Sequence, residues 1–187
     1  MATNSLQTLT GNVSDSSHIW QPDASQPFWY VAYTSANHEK KAALEMNRRG
    51  VETFLPVYQS VRRWSDRRVT IEKPLFPGYV FVRLALPNRL LVLQVPGVCK
   101  FVGFGGPPVA LPDEQLNILR SGLDQLLRAE PHPYLTVGRR VRVRSGPFTG
   151  LEGILRRRKN RTRLIISLDL IQRSMSVELE DSTVEPL

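Results

Sequence analysis

The sequence predicts an α+β protein of two units, an antiparallel sheet with packed helices followed by a small β-barrel. Three observations predict it. Strand-like and helix-like stretches mix over about 100 residues, as in a sheet with helices laid on it. Pro131-His132-Pro133 then interrupts the chain with residues that disfavour helix and favour an extended linker. Beyond it, period-two alternation and glycine turns replace the helical pattern.

Composition bounds the reading. The 187 residues, 41% hydrophobic, suffice for one large or two small cores. Twenty-five basic against 17 acidic residues leave a charge of +8. That excess, with a pI of about 10.1, suits a polyanionic partner such as nucleic acid, and also occurs on plainly solvated surfaces. No apolar run reaches the about 18 residues that span a bilayer, so no membrane partner is expected. The single cysteine, Cys99, allows neither an internal disulfide nor a thiolate metal site, which suits a reducing cytoplasm. Lying in an apolar stretch, it reads as a small buried side chain.

Residues 1–27 are polar, without a periodic apolar face or a signal-peptide pattern, and read as a disordered leader. The first folded unit is expected over 28–129. Phe28–Tyr33 alternates as a strand. Asn37 is a candidate N-cap, Glu39 suits the first helical turn, and Gly50 is a stop. Ala42, Ala43 and Met46 fall on one side of that helix; Lys40, Lys41 and Arg48 point elsewhere, as phosphate contacts or as a solvated face. Phe54–Val61 reads as a second strand. The loop after it, Arg62-Arg63-Trp64-Ser65-Asp66-Arg67-Arg68, gathers four arginines around an indole. This is the pattern of a nucleic-acid-facing hairpin tip, the alternative being a charged loop with Trp64 folded on the core.

Val69–Ile71 starts a strand that runs into Lys73–Leu84, KPLFPGYVFVRL, the stretch around which the unit is organised. There Tyr79 and Phe81 share one face, and Val80 and Val82 the other. One face fills the core; the second must be covered by a helix, another domain or a partner. Leu90–Val95 is apolar, Pro96-Gly97 is a turn, and Val98–Phe104 is a further strand. A helix starts at Pro112-Asp113-Glu114 and carries Leu116, Leu119, Leu123 and Leu126/Leu127 to about Arg128.

A linker is expected at 130–134, with His132 exposed, and a second unit at 135–187. Val141 and Val143 alternate with Arg142 and Arg144, glycines flank Pro147-Phe148 at a loop tip, and Leu151–Arg158, Arg163–Leu170 and Met175–Leu179 supply short strands. That is enough for a small SH3-like barrel. Arg156–Arg158 and Lys159-Asn160-Arg161 form a second basic cluster, either functional or solvated.

WYVAY at 29–33, PLFPGYVFV at 74–82, PGVCKFV at 96–102 and PPVALPDE at 107–114, in that order, resemble the N-terminal (NGN) domain of the NusG family of transcription elongation factors. Val137–Ile154 resembles a KOW motif. The resemblance implies a transcription elongation and antitermination factor, cytoplasmic and monomeric. Its N-terminal domain would dock on the clamp helices of the largest RNA polymerase subunit, contact non-template DNA and suppress pausing. Phe76, Tyr79 and Phe81 match the apolar positions of the polymerase-binding strand, with Tyr33 beside them. His38 and Lys41 match helix positions used for DNA contacts in specialised members, and Arg62, Arg63, Arg67 and Arg68 add the basic tip. Gly146, Pro147 and Phe148 match the KOW loop that recruits a small-subunit ribosomal protein or the termination factor Rho. The family's general factor carries a phenylalanine-glycine-arginine turn where Ile171-Gln172-Arg173-Ser174 stands here. This departure argues against Rho and toward a specialised paralogue like RfaH or the UpxY-type antiterminators. Strand-like alternation at Leu164–Leu168 and Met175–Leu179, and Lys73 in place of an acid, argue against a C-terminal domain folded as a helical hairpin.

No catalytic, metal or cofactor pattern emerges: there is no H-E-x-x-H, Walker-type loop or useful cysteine/histidine pairing. The rival reading is a KOW-type RNA-binding or ribosome-associated protein.

Overall fold

The computed structural model describes residues 25–63, 67–125, 129–132, 138–158, 161–179 and 184–187. The N-terminal sheet is antiparallel. Its strands are β1 (Pro27–Thr34), β2 (Glu52–Phe54), β5 (Tyr79–Ala85) and β6 (Val98–Phe101), in the order β2-β5-β1-β6. A separate hairpin pairs β3 (Val57–Arg63) with β4 (Arg68–Pro74). Helices α1 (Glu39–Arg48), α2 (Leu90–Leu93) and α3 (Asp113–Gln125) complete the unit.

The register of β1 on β5 decides what each sheet face carries. Tyr30 lies opposite Val82 and Ala32 opposite Val80, while Val31 lies opposite Phe81 and Tyr33 opposite Tyr79. Since side chains alternate across a strand, the first set forms one core with Ala42, Ala43 and Met46 of α1 and Val92 of α2. The second set belongs to another cluster, built from Trp29, Val31 and Phe81 together with Leu116 and Leu119 of α3 and residues of the C-terminal unit.

Several boundaries differ from the sequence reading. The expected strand at 54–61 is two strands in two sheets, broken at Pro56, which has no N–H to give a ladder and whose carbonyl accepts from Leu75 N at 2.8 Å. The expected run from Val69 to Leu84 is likewise interrupted by a turn at 75–78. Asn37 is not the N-cap: it takes a left-handed φ of 62°, and His38 holds the cap position without a side-chain bond. Cys99 is exposed rather than buried: it falls at the register shift between Tyr33↔Lys100 and Thr34↔Val98, where it has no opposite residue on β1.

The C-terminal unit is the antiparallel six-stranded sheet of a small SH3-like barrel. It comprises β7 (Ala129–His132), β8 (Arg139–Val143), β9 (Glu152–Arg158), β10 (Arg161–Leu168), β11 (Arg173–Leu179) and β12 (Val184–Pro186), in the order β12-β8-β9-β10-β11-β7. The unit is built of strands, not of a helical hairpin. Residues 129–132 do not form a free linker. They pair with β11, His132 opposite Ser174 and Ala129 opposite Val177, and His132 is half-buried. Proline is tolerated at 131 because β7 is an edge strand.

Candidate functional site

The aromatic face starts at the turn that feeds β5. Tyr79 N donates to Phe76 O at 3.1 Å, with Pro77 and Gly78 between them and Gly78 at φ 85°, the residue order a type II turn demands. The turn is clamped from both sides: Gly78 N–H donates to the buried Glu39 Oε1 at 2.7 Å, and Gly78 O accepts from Thr34 N at 2.8 Å. Helix α1 thereby fixes the entry of the strand that carries Tyr79 and Phe81. The rings then form a string. Tyr33 meets Tyr79 at 5.5 Å between centroids, Phe81 meets Phe76 edge-on at 6.0 Å, and Phe54 lies 5.9 Å from Phe81. Arg120 of α3 lies over Trp29 and Phe54, at 5.2 and 5.1 Å from their centroids, and pairs with Glu52 at 3.2 Å.

What covers this face is α3 and the C-terminal unit. Phe76 and Phe81 are each 1% exposed, whereas Tyr33, at the rim, is 39% exposed and Tyr79 is half-buried. A cavity of about 210 Å³ is lined by Val31, Phe81 and Leu111 on one side and by Leu168, Leu170 and Ile171 on the other. The Arg173 guanidinium sits 5.9 Å from the Tyr79 ring centroid, a cation–π contact between the two units. Of the coverings the sequence leaves open for this face, the structure shows a helix and the second unit, and Phe76 and Phe81 are core residues of that contact.

The same holds for the C-terminal loop. Gly146 at φ 93° and Gly150 at φ 92° make the tight reversals, and Thr149 Oγ1 donates to Gly146 O at 2.6 Å. Phe148, expected at a loop tip, is fully buried (0% exposed). Gly146 is exposed and Pro147 half-buried.

The basic candidates stay at the surface. Arg62, Arg63, Arg67 and Arg68 are exposed at the end of the β3–β4 hairpin, and Arg63 lies directly opposite Arg68. Like charges placed opposite each other destabilise a ladder. The tip therefore concentrates positive charge that an anionic ligand would relieve. Trp64 lies outside the described residues. His38 and Lys41 are exposed at the start of α1, away from this tip in sequence, with His38 Nδ1 3.1 Å from Ala36 O. His38 rests on the Pro96-Gly97 turn. A Cβ at Gly97, whose φ is 91°, would come within 2.8–2.9 Å of three of its carbons.

In the C-terminal unit Arg142 donates to Glu152 at 2.7 Å, which lowers the Glu152 pKa and raises that of Arg142. Among the described residues no group of three or more His, Cys, Asp or Glu is placed to hold a metal ion, and no helix is long and apolar enough to cross a membrane.

Sequence reasoning missed the residues that join the units. Gln115, Ile118 and Gly122 form one stripe of α3, adjacent to the Leu116–Leu119–Leu123 stripe, and Gln115 lines the interdomain cavity. A glycine inside a strongly helical stretch was the available signal.

Comparison with known proteins gives a consistent answer. Residues 27–120 match the family model described as transcription termination factor nusG. The transcription termination/antitermination protein NusG of Staphylococcus aureus strain Mu50 is 30% identical over 178 residues, covering 85% of this chain and 95% of the relative; that of strain N315 matches to the same extent. A solved structure on domain interaction in Thermotoga maritima NusG aligns with a TM-score of 0.57 at 24% identity, over 87% of this chain and 98% of the other.

Proposed function

Since the chain belongs to the NusG family of transcription termination/antitermination factors, we propose that it binds RNA polymerase through the aromatic face of β1 and β5. In this reading the clamp helices of the largest subunit lie across Tyr33, Phe76, Tyr79 and Phe81. The observation that carries it is the two-sided character of the N-terminal sheet. Helices α1 and α2 cover one face, but the other reaches full burial only with residues of the C-terminal unit. A face of that kind suits exchange between an internal and an external partner. Each buried aromatic contributes on the order of 2 kcal/mol, so a few suffice for stable docking.

The basic hairpin tip, Arg62, Arg63, Arg67 and Arg68, is the contact for non-template DNA, with His38 and Lys41 as a second strip. Its support is exposure and the facing pair Arg63–Arg68. The KOW loop Gly146-Pro147-Phe148 recruits the second partner, a small-subunit ribosomal protein, once Phe148 is uncovered. A specialised, operon-directed role rather than a general one is supported by Ile171-Gln172. Ile171 is buried against the docking face and Gln172 takes φ 48°, where the general factor has its phenylalanine-glycine turn.

The test is capture of purified core RNA polymerase by the full chain and by a Tyr33→Ala/Tyr79→Ala variant, chosen because neither ring is a fully buried core group. Capture by the wild type, and loss of at least tenfold in the variant, is the expected result. Equal capture by both would remove the aromatic face from the mechanism. Co-sedimentation with ribosomes but not polymerase would favour the RNA-binding reading instead.

A further inference from the structure

We propose that Glu72 is a positioning residue of the nucleic-acid contact. By holding Lys40 it fixes the lean of the β3–β4 hairpin on α1, so that the arginine tip and the strip of His38 and Lys41 meet one strand together. This rests on the DNA reading of those two strips and adds the residue that joins them, which itself touches no phosphate.

The build of the hairpin calls for such a residue. β3 pairs with β4 alone, and the two join neither larger sheet. A two-stranded hairpin without further packing is marginally stable in water, and Val61, on the shaft, is 64% exposed. The root is closed by Leu75 N to Pro56 O at 2.8 Å, and Tyr58 packs there against the core. Root contacts alone leave a ribbon free to tilt.

Helix α1 supplies two attachments from consecutive residues. Glu39 accepts the Gly78 N–H at 2.7 Å, buried, at the turn where β4 gives way to β5. Lys40 Nζ donates to Glu72 Oε2 at 3.2 Å, with both side chains about half exposed. One attachment is a pivot; a second, six residues back along the chain, fixes an angle. Glu72 is aimed from its own sheet as well. Gln59 lies directly opposite it on β3, and Gln59 Nε2 donates to Glu72 Oε1 at 3.4 Å. Each carboxylate oxygen thus has a partner, one from each side of the joint.

The position of Glu72 on β4 gives the latch its leverage. Side chains alternate along a strand, so Glu72 shares a face with Thr70 and Arg68, and Arg68 stands about 13 Å nearer the tip. On the other side of the joint, His38 and Lys41 flank Glu39 and Lys40 at the start of α1. The ion pair therefore stands between the two basic strips and sets their separation. Its charges cancel, so a phosphate backbone can pass it without meeting a bare carboxylate. A strand held at the tip then finds the helix strip at high local concentration, as with any two linked sites that match the span.

Two double variants that leave the net charge unchanged test this in the full chain. Lys40→Ala/Glu72→Ala removes the latch; Lys40→Glu/Glu72→Lys rebuilds it with its charges exchanged. Binding of a fluorescein-labelled single-stranded DNA is followed by anisotropy across a salt series, and hydrogen exchange of the β3 and β4 amides is measured without DNA. An exposed ion pair shifts an equilibrium by up to about 5-fold. The alanine pair should therefore bind about 2- to 5-fold more weakly, with a salt slope lower by about 1 as fewer phosphates are met at once, and its hairpin amides should exchange faster. The exchanged pair should match the wild type in all three. Affinity and slope equal to wild type in the alanine pair would overturn the proposal, and so would unchanged hydrogen exchange. An exchanged pair as weak as the alanine pair would overturn it too, since the charge of Lys40 would then be the contact. Faster exchange in the alanine pair, restored by the charge swap, with no DNA bound by any of the three proteins would uphold the latch and overturn the DNA reading.

Discussion

Replacing Glu39 by alanine should loosen the entry to the aromatic strand by more than it loosens the helix it starts. The carboxylate is buried and accepts the Gly78 N–H at 2.7 Å. A hydrogen bond to such a group contributes about 1.5–3 kcal/mol, and its removal strands a buried N–H. An acid in the first turn of α1 adds about 0.3–1 kcal/mol through the helix dipole. The loss is therefore about 2–4 kcal/mol, which at about 2–4 °C per kcal/mol for a chain of this size lowers the melting temperature by about 4–16 °C. Glu39→Gln keeps an oxygen acceptor in the same place and should cost about 1 kcal/mol or less. Thermal melts by circular dichroism of the two variants beside the wild type give the comparison, and polymerase capture gives a second. The alanine variant should bind more weakly, because Gly78 sits against the Tyr33 ring, where a Cβ would be 3.2 Å from Cε2. An alanine variant melting within about 2 °C of wild type would show that the clamp does not hold the turn.

Arg120→Ala removes two stacked contacts and an ion pair with Glu52; a loss of about 1–2 kcal/mol is expected from urea unfolding. Exchanging Arg62, Arg63, Arg67 and Arg68 for glutamine should lower the salt dependence of single-stranded DNA binding, the logarithmic slope falling by about 2–3 if all four meet phosphates; an unchanged slope would exclude the hairpin tip. Gly97→Ala forces a left-handed backbone on a residue that also abuts His38, and should cost about 1–2 kcal/mol and shift the His38 ring resonances. The Glu152 carboxyl is held below its ordinary pKa, first by the hydrogen bond from Arg142. Its stabilising share is complete above the ordinary glutamate range and is lost as the pH falls through the depressed value, so melting curves of wild type and Glu152→Gln should converge in acid.

What was legible in the sequence was what repeats locally. The alternation of Tyr79-Val80-Phe81-Val82 divides the β5 faces as the period of two requires, and Ala42, Ala43 and Met46 pack as helical spacing implies. Pro74, Pro77 and Gly78 read as a turn or a strand entry, and the turn at 75–78 both ends β4 and leads into β5. Pro56 was read through, since one proline does not by itself reveal that the two halves of an apolar run join different sheets. The interdomain contact was out of reach for a different reason. Phe148 and Gly122 are 26 positions apart by their numbers, on elements whose periodicity speaks only of their own units, and nothing in Gly146-Pro147-Phe148 distinguishes a ring awaiting a partner from one already seated. Charge was easier: the four hairpin arginines outnumber the one acid of their loop, and they remain at the surface.

The pairing of β7 on β11 bears on how the molecule behaves in time. The described part of α3 reaches Gln125 and β7 begins at Ala129, so while that strand stays zipped four steps of chain link the two, at most about 14 Å however they run. A barrel on so short a leash cannot diffuse away. Its local concentration stays near or above the millimolar range expected of short tethers, and rebinding to its own neighbour outpaces most visitors from solution. The polymerase reading therefore requires that a partner be already at hand when the two units part.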